Sequence, residues 1–135
     1  MSAQRVAALV SIAAVALAVI AGLVFIGSPA EQRTLRFDER RVGDLRQLSN
    51  AVQNHWRQRN ELPARADDIV DGLMMTRLPL DPTSGQPYDY RVTEPGKFEL
   101  CATFSRRSRA EDSRDFWFHE AGRHCFSFDA ATKAY

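Results

Sequence analysis

Residues 6–26 read VAALVSIAAVALAVIAGLVFI, and no Asp, Glu, Lys, Arg, His, Asn or Gln interrupts them. At about 1.5 Å per residue the run reaches roughly 30 Å as a helix, the hydrocarbon thickness of a bilayer. Lipid offers no hydrogen bonds to an exposed backbone, so a helix is the single-segment way across. Val6 and Ile26 are the expected ends of this membrane anchor. A secretory signal has a shorter apolar core, about 7 to 15 residues. An uncleaved anchor is therefore expected, although Ser28-Pro29-Ala30 offers small residues of the kind a processing site uses. Both readings send the rest of the chain across the membrane.

The chain has 135 residues. Setting residues 1–30 aside as the anchor leaves residues 31–135, about 105, which is enough for one modest soluble domain. The formal net charge is +1. No overall field draws such a chain to nucleic acid, and none is expected as a partner. Its two cysteines, Cys101 and Cys125, suggest one disulfide in an oxidising compartment. The arginines argue the opposite orientation. Arg5 precedes the apolar run, whereas Arg33, Arg36, Arg40 and Arg41 follow it, and cytoplasmic flanks carry the excess of positive charge.

Working outward, Pro29 disfavours helix at Ser28 and marks a kink or break. A second helix is expected from Glu31 or Thr34 to Arg59. Val42, Leu45, Leu48, Val52 and Trp56 recur at three- and four-residue spacing, one apolar stripe. Arg40, Arg41, Asp44, Arg46, Gln47, Asn54 and Arg57 are expected on its other faces. A short helix is expected over residues 65–73, with Ala66, Ile69, Val70 and Leu73 on its apolar side. Leu78 to Pro87 holds three prolines and a glycine and reads as a constrained loop. Strands are expected at 88–92, 98–104, 116–118 and 124–128. In the second, Phe98, Leu100, Ala102 and Phe104 alternate against Glu99, Cys101 and Thr103. Such a sheet has an aromatic face that needs a cover. The fold class that follows is α+β: an N-terminal transmembrane helix, then an amphipathic helix packed on a small antiparallel sheet through Leu45, Leu48, Val52 and Trp56. On this packing Trp56→Ala should cost about 3 to 5 kcal/mol. Cys101 and Cys125 share the face away from the phenylalanines, but a strand at 116–118 would separate them in a simple meander.

Arg41-Val42-Gly43-Asp44-Leu45-Arg46-Gln47-Leu48, with Ala51, Val52 and Trp56, resembles the helix that follows the pilin membrane segment. Leu80-Asp81-Pro82-Thr83-Ser84-Gly85-Gln86-Pro87-Tyr88-Asp89-Tyr90 is similar to the Asp-Pro…Gly-x-Pro-Tyr-x-Tyr stretch of major pseudopilins. Over about residues 35 to 128 the chain thus resembles type IV pilins and the pseudopilins of type II secretion. The resemblance implies a pilin-like domain outside the cytoplasmic membrane and partners among envelope, secretion or pilus proteins. It does not extend to the leader: residues 6–26 contain no Glu, and no Gly-Phe or Gly-Met junction precedes them. Major pseudopilins can bind calcium in a loop of their sheet. The local oxygen donors here are Asp81, Asp89, Glu111, Asp112 and Asp115, for which ion pairs with arginines are the plainer use.

Cys101, His119, His124 and Cys125 are ligand types that zinc accepts, but their spacing matches no usual zinc pattern. A disulfide beside two surface histidines is the expected arrangement, with no cofactor. The chain has no Gly-x-Ser-x-Gly, phosphate-binding loop, dinucleotide fingerprint or His-Glu-x-x-His, and no enzymatic activity is expected. His55 is expected on the helix surface or half-buried. The aromatic residues alternate as a core does, rather than forming a stacking platform. Arg106, Arg107, Arg109 and Arg114 fall in an expected solvated loop. Two functions follow: a pilin-like structural or assembly protein acting by contact, or a membrane-tethered module that binds or senses a ligand or metal.

Overall fold

The computed structural model describes residues 2–26, 28–70, 72, 75–109 and 114–132. Contacts divide the chain into one unit ending at Arg33 and a second beginning at Thr34, three residues beyond the boundary expected from sequence.

In the first unit, helix α1 (Ala3–Ile26) is long and apolar enough to cross a membrane, and none of its apolar window is buried by protein. Val6, Leu9, Ile12, Leu17, Ile20 and Phe25 are all exposed. Helix α2 (Pro29–Arg59) starts earlier than the sequence spacing implied. Ser28 Oγ accepts the Glu31 N–H at 3.3 Å, and the Glu31 carboxylate accepts the Ser28 N–H at 3.2 Å. This is a capping box, with Pro29 at the first helical position, where its missing N–H is no loss.

In the second unit, α2 buries Asp38, Arg41, Leu45, Leu48 and Val52, again at three- and four-residue spacing. The inward stripe therefore runs on through two charged residues. The expectation that Arg41 lies on an outer face is corrected. Val42 and Trp56 lie at the rim of the core, partly buried. Three strands follow as an antiparallel meander in the order β1-β2-β3: β1 (Asp89–Glu94), β2 (Lys97–Phe104) and β3 (Gly122–Asp129). Phe98, Leu100, Ala102 and Phe104 of β2 and Phe126 and Phe128 of β3 join Leu45, Leu48 and Val52 in one core. This is the α+β arrangement. Gly96 in the β1–β2 turn has φ +76°, and a Cβ there would meet the Trp56 ring at 3.4 Å. Glycine alone suits both the left-handed backbone and the close approach.

Two expected elements are corrected. Phe116-Trp117-Phe118 is no strand. The Asp115 side chain accepts the Trp117 N–H at 3.1 Å and its carbonyl accepts the Phe118 N–H at 3.0 Å, which curls the segment into a turn. Trp117 is still buried, lying 4.9 Å from the Phe126 ring. Nothing then separates β2 from β3, and Cys101 faces Cys125 directly. The helix expected over 65–73 is a single 3-10 turn, Ala66–Ile69, opened by the Asp68 carboxylate on the Arg65 N–H. Ile69 is buried and Val70 exposed, while Leu73 lies outside the described residues.

Each fully buried aliphatic side chain contributes roughly 1.5 to 3 kcal/mol of transfer free energy. Leu45 is 0% exposed, whereas Trp56 is only partly buried. Leu45→Ala should therefore cost about 3 kcal/mol or more and Trp56→Ala less than that, read by thermal or urea unfolding of the full chain in detergent. A larger loss at Trp56 than at Leu45 would refute this placement of the core.

Candidate functional site

The first half of α2 carries the densest side-chain chemistry in the second unit. Arg41 is almost wholly buried, its side chain 4% exposed. Its Nε donates to Asp81 at 2.6 Å, Nη1 to Asp38 at 2.7 Å and Ser105 Oγ at 3.2 Å, and Nη2 to Asp81 at 3.2 Å and Thr83 Oγ1 at 2.7 Å. Asp38 also accepts the backbone N–H groups of Ser105 and Arg106 at 3.0 and 2.9 Å. Asp81 Oδ1 accepts those of Thr83 and Ser84, both at 2.9 Å. One guanidinium thus binds α2 to the proline-rich loop and to the end of β2. Burial alone would raise the Asp81 pKa. The bonds from Arg41, Ser84 and Thr83 outweigh it and hold the carboxyl down at about 2. The Arg41 pKa is raised, chiefly by its bond to Asp81. Nearby, the Tyr88 hydroxyl donates to Asp44 at 2.8 Å, and burial together with that carboxylate raises the phenol pKa.

Beside this cluster a groove of about 360 Å³ runs between α2 and the β2–β3 connection. Leu35, Val42 and Trp117 supply its apolar surface, and Arg46, Arg109 and His119 its polar groups. Arg46 lies 5.4 Å above the Trp117 ring and pairs with Asp115 at 3.6 Å. His119, expected on the surface, is buried. Its ring stacks on Phe104 with centroids 3.6 Å apart, and Nδ1 lies 3.3 Å from the Glu120 carbonyl. Burial holds the imidazole below its ordinary pKa, against weaker opposing effects from Glu120 and Asp38. The Ser108 hydroxyl accepts the His119 N–H at 3.0 Å, and the Ser108 N–H donates to the His119 carbonyl at 2.9 Å. The groove thus offers an aromatic wall and both signs of charge to a small polar–apolar group. A second cavity of about 510 Å³ lies over the other side of β2, reaching Asp81, Thr83, Tyr88 and Cys101.

Cys101 and Cys125 are bonded across facing positions of β2 and β3, with Cα atoms 4.0 Å apart. Arg123 Nη1 lies 3.3 Å from the Cys125 sulfur. Among the described residues one group gathers metal-ligand types, Glu99 with Cys101 and Cys125. Both its sulfurs are in the disulfide, and Glu99 is held by Arg91 at 2.6 Å and Ser127 at 3.1 Å. The histidines considered with these sulfurs are elsewhere: His119 is in the groove and His124 faces Ala102. The oxygen donors considered for calcium sit in separate ion pairs, Asp81 with Arg41, Asp89 with Arg123 and Asp115 with Arg46. Glu111 and Asp112 lie outside the described residues. Arg107, in the arginine-rich loop, pairs with Glu120 at 3.2 Å. Among the anchor residues, Val6 is exposed on α1 and Ile26 is its last residue.

Sequence reasoning missed Asp38, Arg41 and His119 as buried groups. Asp38 and Arg41 do sit seven and four residues before Leu45, in phase with the apolar stripe, and that phase was the available signal. Comparison with protein families, with curated proteins and with solved structures finds no match to this chain.

Two outcomes test the cluster and the groove. Arg41→Ala leaves two carboxylates without their cation and should cost about 3 to 5 kcal/mol in unfolding free energy; a loss below about 1 kcal/mol would show that the network is dispensable. His119 has a folded-state pKa below its unfolded value, so its contribution is complete above about pH 6.5 and is lost as pH falls through the folded value. The melting temperature of the full chain should drop between pH 7.5 and 5, and His119→Phe, which keeps an aromatic ring on Phe104, should flatten that drop.

Proposed function

We propose that this chain is a single-pass, membrane-anchored protein of the cell envelope. Its C-terminal domain lies on the periplasmic side of the inner membrane and acts by protein contact, as pilins and pseudopilins do. The observation that carries this reading is the Cys101–Cys125 disulfide in a domain that follows a helix of membrane-spanning length. Stable disulfides belong to oxidising compartments. Burial of Arg41 also weakens the opposing argument, because a guanidinium bonded to Asp38 and Asp81 is not a free flanking charge. The pilin-like part of the reading draws on the α2 stripe, the proline-rich loop held to it, and the antiparallel meander that shares its core. Its partners are the membrane itself and other envelope, secretion or pilus proteins. The domain carries out no chemical step in this reading.

A second reading, a membrane-tethered binding or sensing module, rests on the groove lined by Trp117 and His119. It requires a ligand- or metal-dependent rise in melting temperature, since whatever binds the folded state alone stabilises it.

Intact cells test the first reading in two steps. Thiols trapped with acid and alkylated after denaturation should show Cys101 and Cys125 oxidised. A cysteine placed at exposed Thr93 on β1 should react with a membrane-impermeant maleimide while the inner membrane is whole. Reduced native cysteines, with labelling at 93 only after permeabilisation, would put the domain in the cytoplasm and overturn the proposal.

A further inference from the structure

The N-terminal part of α2, a little over three turns, carries Arg33, Arg36 and Arg40, spaced three and four residues apart and therefore on one helix face. All three are exposed. The stripe that α2 buries, Asp38, Arg41, Leu45, Leu48 and Val52, lies on the opposite side of the helix by the same spacing. Among the described residues, Arg40 has one long contact, 4.0 Å to Asp44, and no hydrogen bond or ion pair engages Arg33 or Arg36. Glu31 falls off this face, and Glu39, three residues beyond Arg36, borders it. The chain has therefore used one arginine of the run, Arg41, internally and left three as an exposed cationic row.

The covalent chain fixes what this row can reach. Arg33 follows the last residue of α1 by only seven positions. Along α2 itself, Arg33 lies about 6 Å and Arg40 about 16 Å beyond Pro29. An arginine side chain adds several ångströms of apolar stem with its charge at the tip. Phosphate takes a guanidinium in a bidentate fork that matches its oxygens.

We propose that Arg33, Arg36 and Arg40 form a lipid-binding face that holds the anionic phospholipid headgroups of the membrane that α1 enters. The ligand chemistry is the phosphate diester of an acidic lipid. The row steadies the start of α2 at the bilayer surface and leaves the buried side of the helix to the sheet. The proposal rests on the reading of α1 as a membrane span, and it needs no particular leaflet. Each arginine near such a surface is worth about a factor of five in the ratio of docked to undocked chain.

The test uses the full chain in vesicles of phosphatidylcholine with about one third phosphatidylglycerol. Alkaline extraction comes first. A chain washed out of the vesicles would refute the membrane span itself, and the lipid face with it. A retained chain is then extracted in mild detergent, and the lipid that co-purifies is counted. The expected result is phosphatidylglycerol enriched about threefold or more over its share in the vesicle. Arg33→Gln with Arg36→Gln should return the ratio to that of the vesicle. Arg57→Gln with Arg59→Gln removes equal charge from exposed sites at the far end of the same helix, some 36 Å along it, and should leave the enrichment in place. No enrichment in the wild type, or equal loss in both pairs, would overturn the proposal. Full displacement by 10 mM inorganic phosphate would overturn it too, by showing a site for a soluble anion.

Discussion

The second unit depends on one cation held between two carboxylates. Arg41 is the point at which α2, the proline-rich loop and the end of β2 meet, and each of its nitrogens has an acceptor. A buried ion pair is seldom a large net source of stability, because taking charges out of water costs nearly what their attraction returns. What it does demand is geometry. The guanidinium fork donates within its own plane, and Asp81 meets it from the loop side and Asp38 from one turn back on α2. The apolar stripe could slide along a greasy sheet face with little penalty. Arg41 ties α2 to the loop in the register observed, through Asp81 and Thr83.

That constraint also explains how Pro79, Pro82 and Pro87 can line a loop with no regular structure. The loop is pinned by Asp81, whose carboxylate turns the following backbone by accepting the N–H groups of Thr83 and Ser84. The bridge between Leu80 and Pro87 closes its base. On the other side of Arg41, Asp38 fixes the Ser105 and Arg106 backbone where β2 ends. The groove walls are consequences of this anchoring, and His119 fills the space behind them against Phe104.

Much of this was legible in the sequence. The apolar run, the α2 stripe, the loop and the β2 alternation follow from period and composition, which local physics controls. Other features were written locally and passed over: Ser28-Pro29-Ala30-Glu31 is a capping box in plain sequence. The 116–118 segment misled because three aromatic residues favour strand, while Asp115 just before them offers the backbone a turn that pairing cannot match. Asp38 and Arg41 were in phase with the stripe but were passed over for another reason. A charged residue in phase with leucines is ordinarily a solvated flank, and only tertiary partners 40 or more residues away along the chain make it a core residue. The cysteines were readable as a pair, but their facing register waited on the fate of the segment between them.

The disulfide also changes what the β2–β3 connection costs. It joins residues 24 apart in sequence, at positions already opposed in the ladder. In the chain-entropy picture, a ring of that size removes about 3.5 kcal/mol of disorder from the unfolded state. Further lengthening inside the ring is then cheap, about 0.6 kcal/mol for each doubling. Outside the buried Trp117 and His119 and the amides of Ser105 and Arg106 that Asp38 holds, loop-closure entropy alone sets little limit on the length of this connection, since the strands it joins are tied by a covalent bond as well as by the ladder. A lineage could diversify that connection widely while the sheet stayed the same.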